Sequence, residues 1–239
     1  MNAIQGLDPK KGLDLLLHTP GGETAATESL VDYLRSVFDT DIRAIIPQIA
    51  MSGGTMIACA CKSIVMGKQS SLGPYDPQLA GVPAHGVVEE FAKAKEEIAR
   101  NPATVAVWQP IIAKYNPTFV GECQKAIDWS EQMIRSWLQT GMFKDQQNPQ
   151  STIDTIIQEL GDHAITLSHA RHLSADRCKN MGLTIEKMEE NQKLQDAILS
   201  VHHAMMITMT ETPAYKIIEN HNGKAFVQRA AYAQGPPMQ

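Results

Sequence analysis

Residues 50–58 read AMSGGTMIA, so that one hydroxyl, on Ser52, stands before Gly53 and Gly54 and between two apolar runs. A second glycine pair, Gly21-Gly22, ends the stretch LDLLLHTPGG that begins at Leu13. Glycine leaves the backbone N–H group unshielded by a side chain. A serine at the mouth of a helix, with two such groups aimed at one point, has what an acyl-transfer nucleophile needs. The hydroxyl attacks a carbonyl carbon, and the two donors hold the oxygen that becomes negative. On this reading Ser52 is the nucleophile and the N–H groups of Gly22 and Gly53 form the oxyanion hole, with the dipole of the helix that starts near Gly53 adding to the stabilisation. A plainer reading uses the same residues for architecture alone: Ser52 is a helix N-cap, and the glycines permit close packing.

Two turns share a site only if the elements that precede them are neighbours. Residues 13–17 form a nearly continuous apolar run stopped by His18-Thr19-Pro20, which predicts a buried parallel strand. Residues 24–38 repeat apolar side chains at helical spacing through Ala26, Leu30, Tyr33, Leu34 and Val37. Residues 42–46 and 63–66 read as further short buried strands, and residues 55–61, small and apolar on every side, as a helix buried all round. The order strand, helix, strand, helix, strand predicts an α/β fold with a mainly parallel sheet, whose carboxyl ends carry the ligand site. From Gly86 the pattern turns helical and more polar, with segments at 87–100, 105–115, 119–140, 151–160, 174–181 and 191–210, separated by prolines, glycines or polar stretches. One domain over 1–239 is expected, its core at about 12–85 and 161–190, a helical insertion at about 86–160 and a C-terminal helical arm at about 191–230.

With 239 residues, 43% hydrophobic and 20% charged, the chain is long and apolar enough to bury a core. A net charge of -5 argues against a nucleic-acid partner. No apolar run reaches the roughly 20 residues of a membrane span, and no charged and apolar leader opens the chain, so a cytoplasmic protein is expected. Cys59, Cys61, Cys123 and Cys178 lack metal-ligand spacing and read as reduced, mostly buried thiols. His163, His169 and His172 form a loose group without a carboxylate partner, so no metal and no cofactor is assigned. His202-His203 read as packing or surface residues, and Met205, Met206 and Met209 as adaptable filler at a helix interface. Trp108, Trp129 and Trp137 are candidate anchors for subunit contacts.

HTPGGETAA at 18–26, AMSGGTMIACA at 50–60 and SSLGPYDPQL at 70–79 occur in the order and spacing of the Clp-fold serine peptidases. The chain most resembles the serine dehydrogenase proteinase branch of that group, which also includes signal peptide peptidase A. A weaker echo follows at HLSADRCKNMGLTI. The resemblance implies a ClpP/crotonase-like spiral of β-β-α units and a serine peptidase with an acyl-enzyme mechanism, with Ser52 as nucleophile and Gly22 and Gly53 as oxyanion donors. It also implies a homo-oligomer acting on peptide or protein, with any unfolding motor on a separate chain, since no GxxxxGK[ST] loop is present.

The base is where this sequence departs from the group. The loop that carries a histidine in the Clp subunit reads GPYDPQ at 73–78 and has none. Relatives with a lysine base place it in the following helix, near Ala84-His85 by rough alignment. His85 is therefore the first choice, since an imidazole accepts a proton at neutral pH without help. Lys93 and Lys95 are the alternatives. Asp76 orients a partner or, as the simpler reading has it, makes an Asx-type turn before Pro77. Clp-fold chains carry a strand and helix before the PGG strand, so an N-terminal extension or a partner subunit is expected to cover the first strand's edge. Two other functions use the same turns: a non-catalytic scaffold or binding subunit, and a crotonase-type acyl-thioester enzyme, which needs the donors but no serine.

Overall fold

The first five strands of the computed structural model, which describes residues 2–161 and 171–230, alternate between two sheets. β1 (Leu13–Leu16) belongs to the larger sheet; the chain then makes a single parallel bridge from Thr19 into the smaller one before α1 (Thr24–Phe38). β2 (Ile42–Ile46) returns to the larger sheet, β3 (Ile49–Ala50) enters the smaller, and α2 (Gly53–Cys59) follows. β4 (Ser63–Met66) and β5 (Ser71–Leu72) repeat the step. This is the expected spiral of ββα units, and three successive turns of it carry the three glycine-bearing motifs.

A two-stranded hairpin, β6 (Gln78–Leu79) and β7 (Val82–Pro83), leads into α3 (Ala84–Arg100), α4 (Val105–Ile112), α5 (Phe119–Thr140) and α6 (Gln150–Gly161). β8 (Leu173–Ser174) rejoins the smaller sheet antiparallel to β5, and α7 (Ala175–Asn180) precedes β9 (Ile185–Lys187). The larger sheet is parallel throughout in the order β1-β2-β4-β9, as continuous apolar runs predict. Its interior strands are the driest: all four residues of β4 are buried, as are Ala44, Ile45 and Ile46 of β2. Polar groups pin the register at one end. Arg43 of β2 donates to both oxygens of Asp14 on β1 at 2.8 Å and to Glu186 Oε2 on β9 at 3.0 Å, while Ser63 Oγ of β4 donates to Glu186 Oε1 at 2.5 Å.

Among the described residues, those between 13 and 187 form one compact unit, and those of 2–12 and 188–230 form another. In the second unit α8 (Gln192–Glu211) carries a buried His202 and an exposed His203, with Met205, Met206 and Met209 half-buried. The expected helical arm ends here and does not run to residue 230. Pro213 cannot extend the helix, and β10 (Ala214–Glu219) pairs antiparallel with β11 (Ala225–Arg229) around a turn in which Gly223 takes φ +74°. The Nδ2 groups of Asn220 and Asn222 in that turn donate to the carbonyls of Ala3 and Gly6, tying the N-terminal residues to the hairpin. His163, His169 and the Gly235-Pro236-Pro237 tail lie outside the described residues.

The tryptophans divide. Trp108 is 8% exposed and Trp137 6%, so both are spent on the chain's own packing rather than on subunit contacts, and Trp108 Nε1 donates to Glu97 Oε2 at 2.8 Å. Trp129 alone of the three stays open, at 37%.

Candidate active site

The smaller sheet explains how separate motifs reach one place. Thr19 pairs with Ala50, and Ala50 with Leu72, so the three residues form one row across parallel segments. Backbone bonds hold the row: Met51 N–H to Thr19 O at 3.0 Å and Gly73 N–H to Ala50 O at 3.2 Å. Parallel segments end on the same side. The chain therefore leaves the row side by side as Pro20-Gly21-Gly22, Met51-Ser52-Gly53 and Gly73-Pro74-Tyr75.

The contact between the first two exits is intimate. A methyl group built on Gly21 would lie 2.8 Å from Ser52 Cβ and 3.4 Å from Ser52 Oγ, and one on Gly53 would lie 3.3 Å from the backbone nitrogen of Gly22. Gly21 also takes φ +123°, so both space and backbone conformation call for glycine there. Gly22 differs: it is exposed, and a methyl group on it would meet nothing within 4 Å. No internal contact forbids a side chain at 22.

Ser52 itself sits in a conformation that L residues rarely adopt, with φ 50° and ψ -115° at the junction of β3 and α2. Such backbone strain, of order 1–3 kcal/mol, persists when the surroundings enforce it, and it characterises sharp strand-to-helix turns that present a nucleophile. Its carbonyl starts α2 by accepting from Met56 N–H at 3.1 Å, yet its side chain makes no capping hydrogen bond. The hydroxyl is therefore not spent on the N-cap that the architectural reading assigns it.

Several residues outside the expected set hold this junction. Thr55 Oγ1, fully buried, lies 2.9 Å from Ala50 O and 2.7 Å from Gly73 O, and accepts from Gly73 N–H at 3.1 Å, so one hydroxyl ties α2 to both neighbouring loops. Thr27 of α1 is the residue a methyl group on Gly53 would strike, at 2.7 Å from Oγ1. At the far end of α2, Arg35 donates to Ala60 O at 2.7 Å and to Trp137 O at 2.9 Å, satisfying carbonyls that burial would otherwise orphan. His18, just before the PGG turn, is half-buried, and desolvation lowers its pKa below the ordinary value. A β-branched hydroxyl three residues past the serine was the sequence signal for Thr55; nothing local marked Arg35.

The remaining candidates follow the third exit. Tyr75 N–H donates to Leu160 O at 3.1 Å, anchoring the loop, and Asp76 behind it is buried at 1% exposure. Ala84 N–H donates to Pro77 O at 2.8 Å, which sets the start of α3 against this segment. His85 is the second residue of α3; it is half-buried, and its Nε2 is shielded from solvent with no hydrogen-bond partner among the described residues. Lys93 and Lys95 lie further along α3 and are exposed, with Lys93 4.0 Å from Glu97. No hydrogen bond joins Ser52 to any of these three among the described residues. The four cysteines are free and buried; burial pushes Cys61 and Cys178 up to about 12 and raises Cys59 and Cys123 too, which keeps thiols out of nucleophilic chemistry. Among the described residues no three His, Cys, Asp or Glu side chains are grouped to hold a metal ion, and no helix is long and apolar enough to cross a membrane.

Residues 1–187 match the family model described as ClpP-like SDH-type serine proteinase. The chain belongs to that family. The matched span contains all three exits of the row, α3 and both the larger and the smaller sheet, so it takes in the whole ClpP-like spiral. Two uncharacterised proteins of Methanocaldococcus jannaschii are similar: one is 30% identical over 176 residues, covering 74% of this chain and 57% of its own length. The other is 38% identical over 99 residues, covering 41% of this chain and 34% of its own. The family member described here thus spans little more than half the length of the first relative and a third of the second. No solved structure matches the chain.

Proposed function

We propose that the chain is a serine peptidase that hydrolyses peptide bonds through an acyl-enzyme on Ser52. Ser52 Oγ attacks the carbonyl carbon while its proton passes to a base; the carbonyl oxygen, now negative, is held by the N–H groups of Gly22 and Gly53. The amine leaves with the proton, and water then attacks the ester and releases the acid. One observation carries the reading: Ser52 is held at φ 50° against the PGG turn, with a hydroxyl that caps nothing.

For the base, the Nε2 of His85, unpartnered among the described residues, supports the imidazole over the lysines. A lysine must lose its proton to act as base, which calls for burial, and Lys93 and Lys95 are exposed. A buried Asp76 on the same segment is suited to orient a neighbouring group rather than to contact bulk solvent. The peptidase works on peptide or protein substrates as a homo-oligomer, which light scattering on the purified protein tests directly.

A fluorophosphonate probe tests the chemistry. Wild type is expected to label and Ser52→Ala is not; absence of Ser52-dependent labelling leaves a binding or scaffold subunit as the better account. Among His85→Ala, Lys93→Ala and Lys95→Ala, the variant that loses labelling identifies the base, and one that keeps it in full removes that residue from the mechanism.

A further inference from the structure

Two of the loops that meet at Ser52 run on into the walls of one open groove of about 490 Å³, within the range of clefts that hold small ligands, about 300–1,000 Å³. The PGG turn continues into Ala25 at the start of α1, and the loop after β5 continues into Leu79 of β6. The third wall is a face of α5 that presents Glu122, Lys125, Ala126 and Trp129. Ala25, Leu79, Ala126 and the indole give the groove apolar walls. Its two charged residues are exposed and pair with each other, Lys125 Nζ meeting Glu122 Oε1 at 2.9 Å. The indole is held in place from the other side: Trp129 Nε1 donates to Glu28 Oε1 of α1 at 3.3 Å.

We propose that this groove is the specificity pocket for the substrate, receiving a bulky apolar side chain of an extended peptide, and that Trp129 is the residue that selects it. The inference rests on the peptidase reading and names what that site prefers. The occupant follows from continuity and charge. A peptide whose carbonyl lies between Ser52 and the Gly22 N–H advances about 3.3 Å per residue, and the first groove residue on α1 comes shortly after Gly22 in the chain. An aromatic or leucine side chain gains by burial against Leu79 and Trp129, whereas a charged one gives up water there for charges already engaged with each other.

The test has two arms. In the first, internally quenched peptides varied on both sides of the scissile bond are cleaved by wild type, Trp129→Ala and Ala126→Phe, the last filling the groove without removing any packing. Wild type is expected to favour Leu or Phe over Asp by at least about tenfold at one position. Both variants are expected to lose most of that preference while keeping fluorophosphonate labelling of Ser52. Normal labelling with the preference intact overturns the groove and leaves the peptidase reading standing. In the second arm, Ser52→Ala protein is titrated with an uncleaved Leu- or Phe-containing peptide and tryptophan fluorescence is read against a Trp129→Phe control. Quenching that vanishes in the control supports the groove even if no cleavage is ever seen, in which case the peptidase reading alone falls. No Trp129-dependent quenching overturns the groove.

Discussion

A methyl group on Gly21 would stand 2.8 Å from Ser52 Cβ, closer than real Cβ contacts come, so the PGG turn and the serine are fitted against each other with no spare room. Gly21→Ala has to move one of them and also to hold an L residue at φ +123°. The expected cost is about 1–3 kcal/mol of stability, with labelling of Ser52 reduced at least tenfold. Gly22→Ala meets no internal contact, so it is expected to keep the melting temperature of wild type while slowing turnover. Thermal melts paired with probe labelling check both, and a Gly21→Ala protein as stable and reactive as wild type contradicts the fit.

Ser52 is expected to trade stability for reactivity. At φ 50° a glycine is less strained than a serine, so Ser52→Gly should raise stability by about 1 kcal/mol while abolishing labelling. Urea unfolding of the two proteins measures the gain; a loss would mean that the hydroxyl makes a stabilising contact in the folded state.

Thr55→Val keeps the shape of the side chain and removes the hydroxyl that serves Ala50, Gly73 and α2. It leaves the buried Gly73 carbonyl without its threonine donor, while Gly73 N–H keeps its bond to Ala50 O, at a cost of about 1–3 kcal/mol. Turnover is expected to fall with little change in KM, since the loops beside Ser52 loosen while the groove on α5 is untouched. Denaturant midpoints and steady-state kinetics separate the two effects.

His18 makes stability sensitive to mild acid. Burial holds its folded-state pKa below 6.5, so between that lowered value and 6.5 the unfolded chain binds more protons than the folded one. Stability is therefore full above about pH 6.5 and falls as the pH drops through that value. Asp41 beside Lys62 and Asp154 beside Arg135 have lowered values and lose their contribution only as the pH falls below the ordinary carboxylate range. Urea midpoints at pH 7.5, 6.5 and 5.5 should converge for wild type and His18→Gln if the variant removes a pH-dependent burden; a constant difference refutes the assignment.

The long elements were legible in the sequence. Residues 24–38, 42–46, 63–66 and 119–140 have the bounds of α1, β2, β4 and α5, because an unbroken apolar run or a helical repeat is a local property of the chain. The helix after Ser52 starts at Gly53, two residues earlier than its apolar pattern suggests, since glycine adds nothing to the pattern and can still begin a turn. The two-residue strands β3, β5 and β8 were not legible at all: two residues carry no period. The C-terminal hairpin was hidden behind the long helix that precedes it, although Pro213 and the Asn222-Gly223 turn announce it.

At the site, the sequence by itself determined which residues have the chemistry: one serine before two glycines, a PGG turn, a histidine and two lysines downstream. Tertiary structure alone decided which of them meet. Thr19, Ala50 and Leu72 fall into one row through backbone hydrogen bonds, which any residue can make, so no side chain in those motifs records its partner. The same pairing brings Gly21 against Ser52, forces the serine to positive φ and frees its hydroxyl. Among the described residues, His85 keeps an unpartnered nitrogen while Lys93 and Lys95 are exposed, a difference set by how α3 packs and not by its composition.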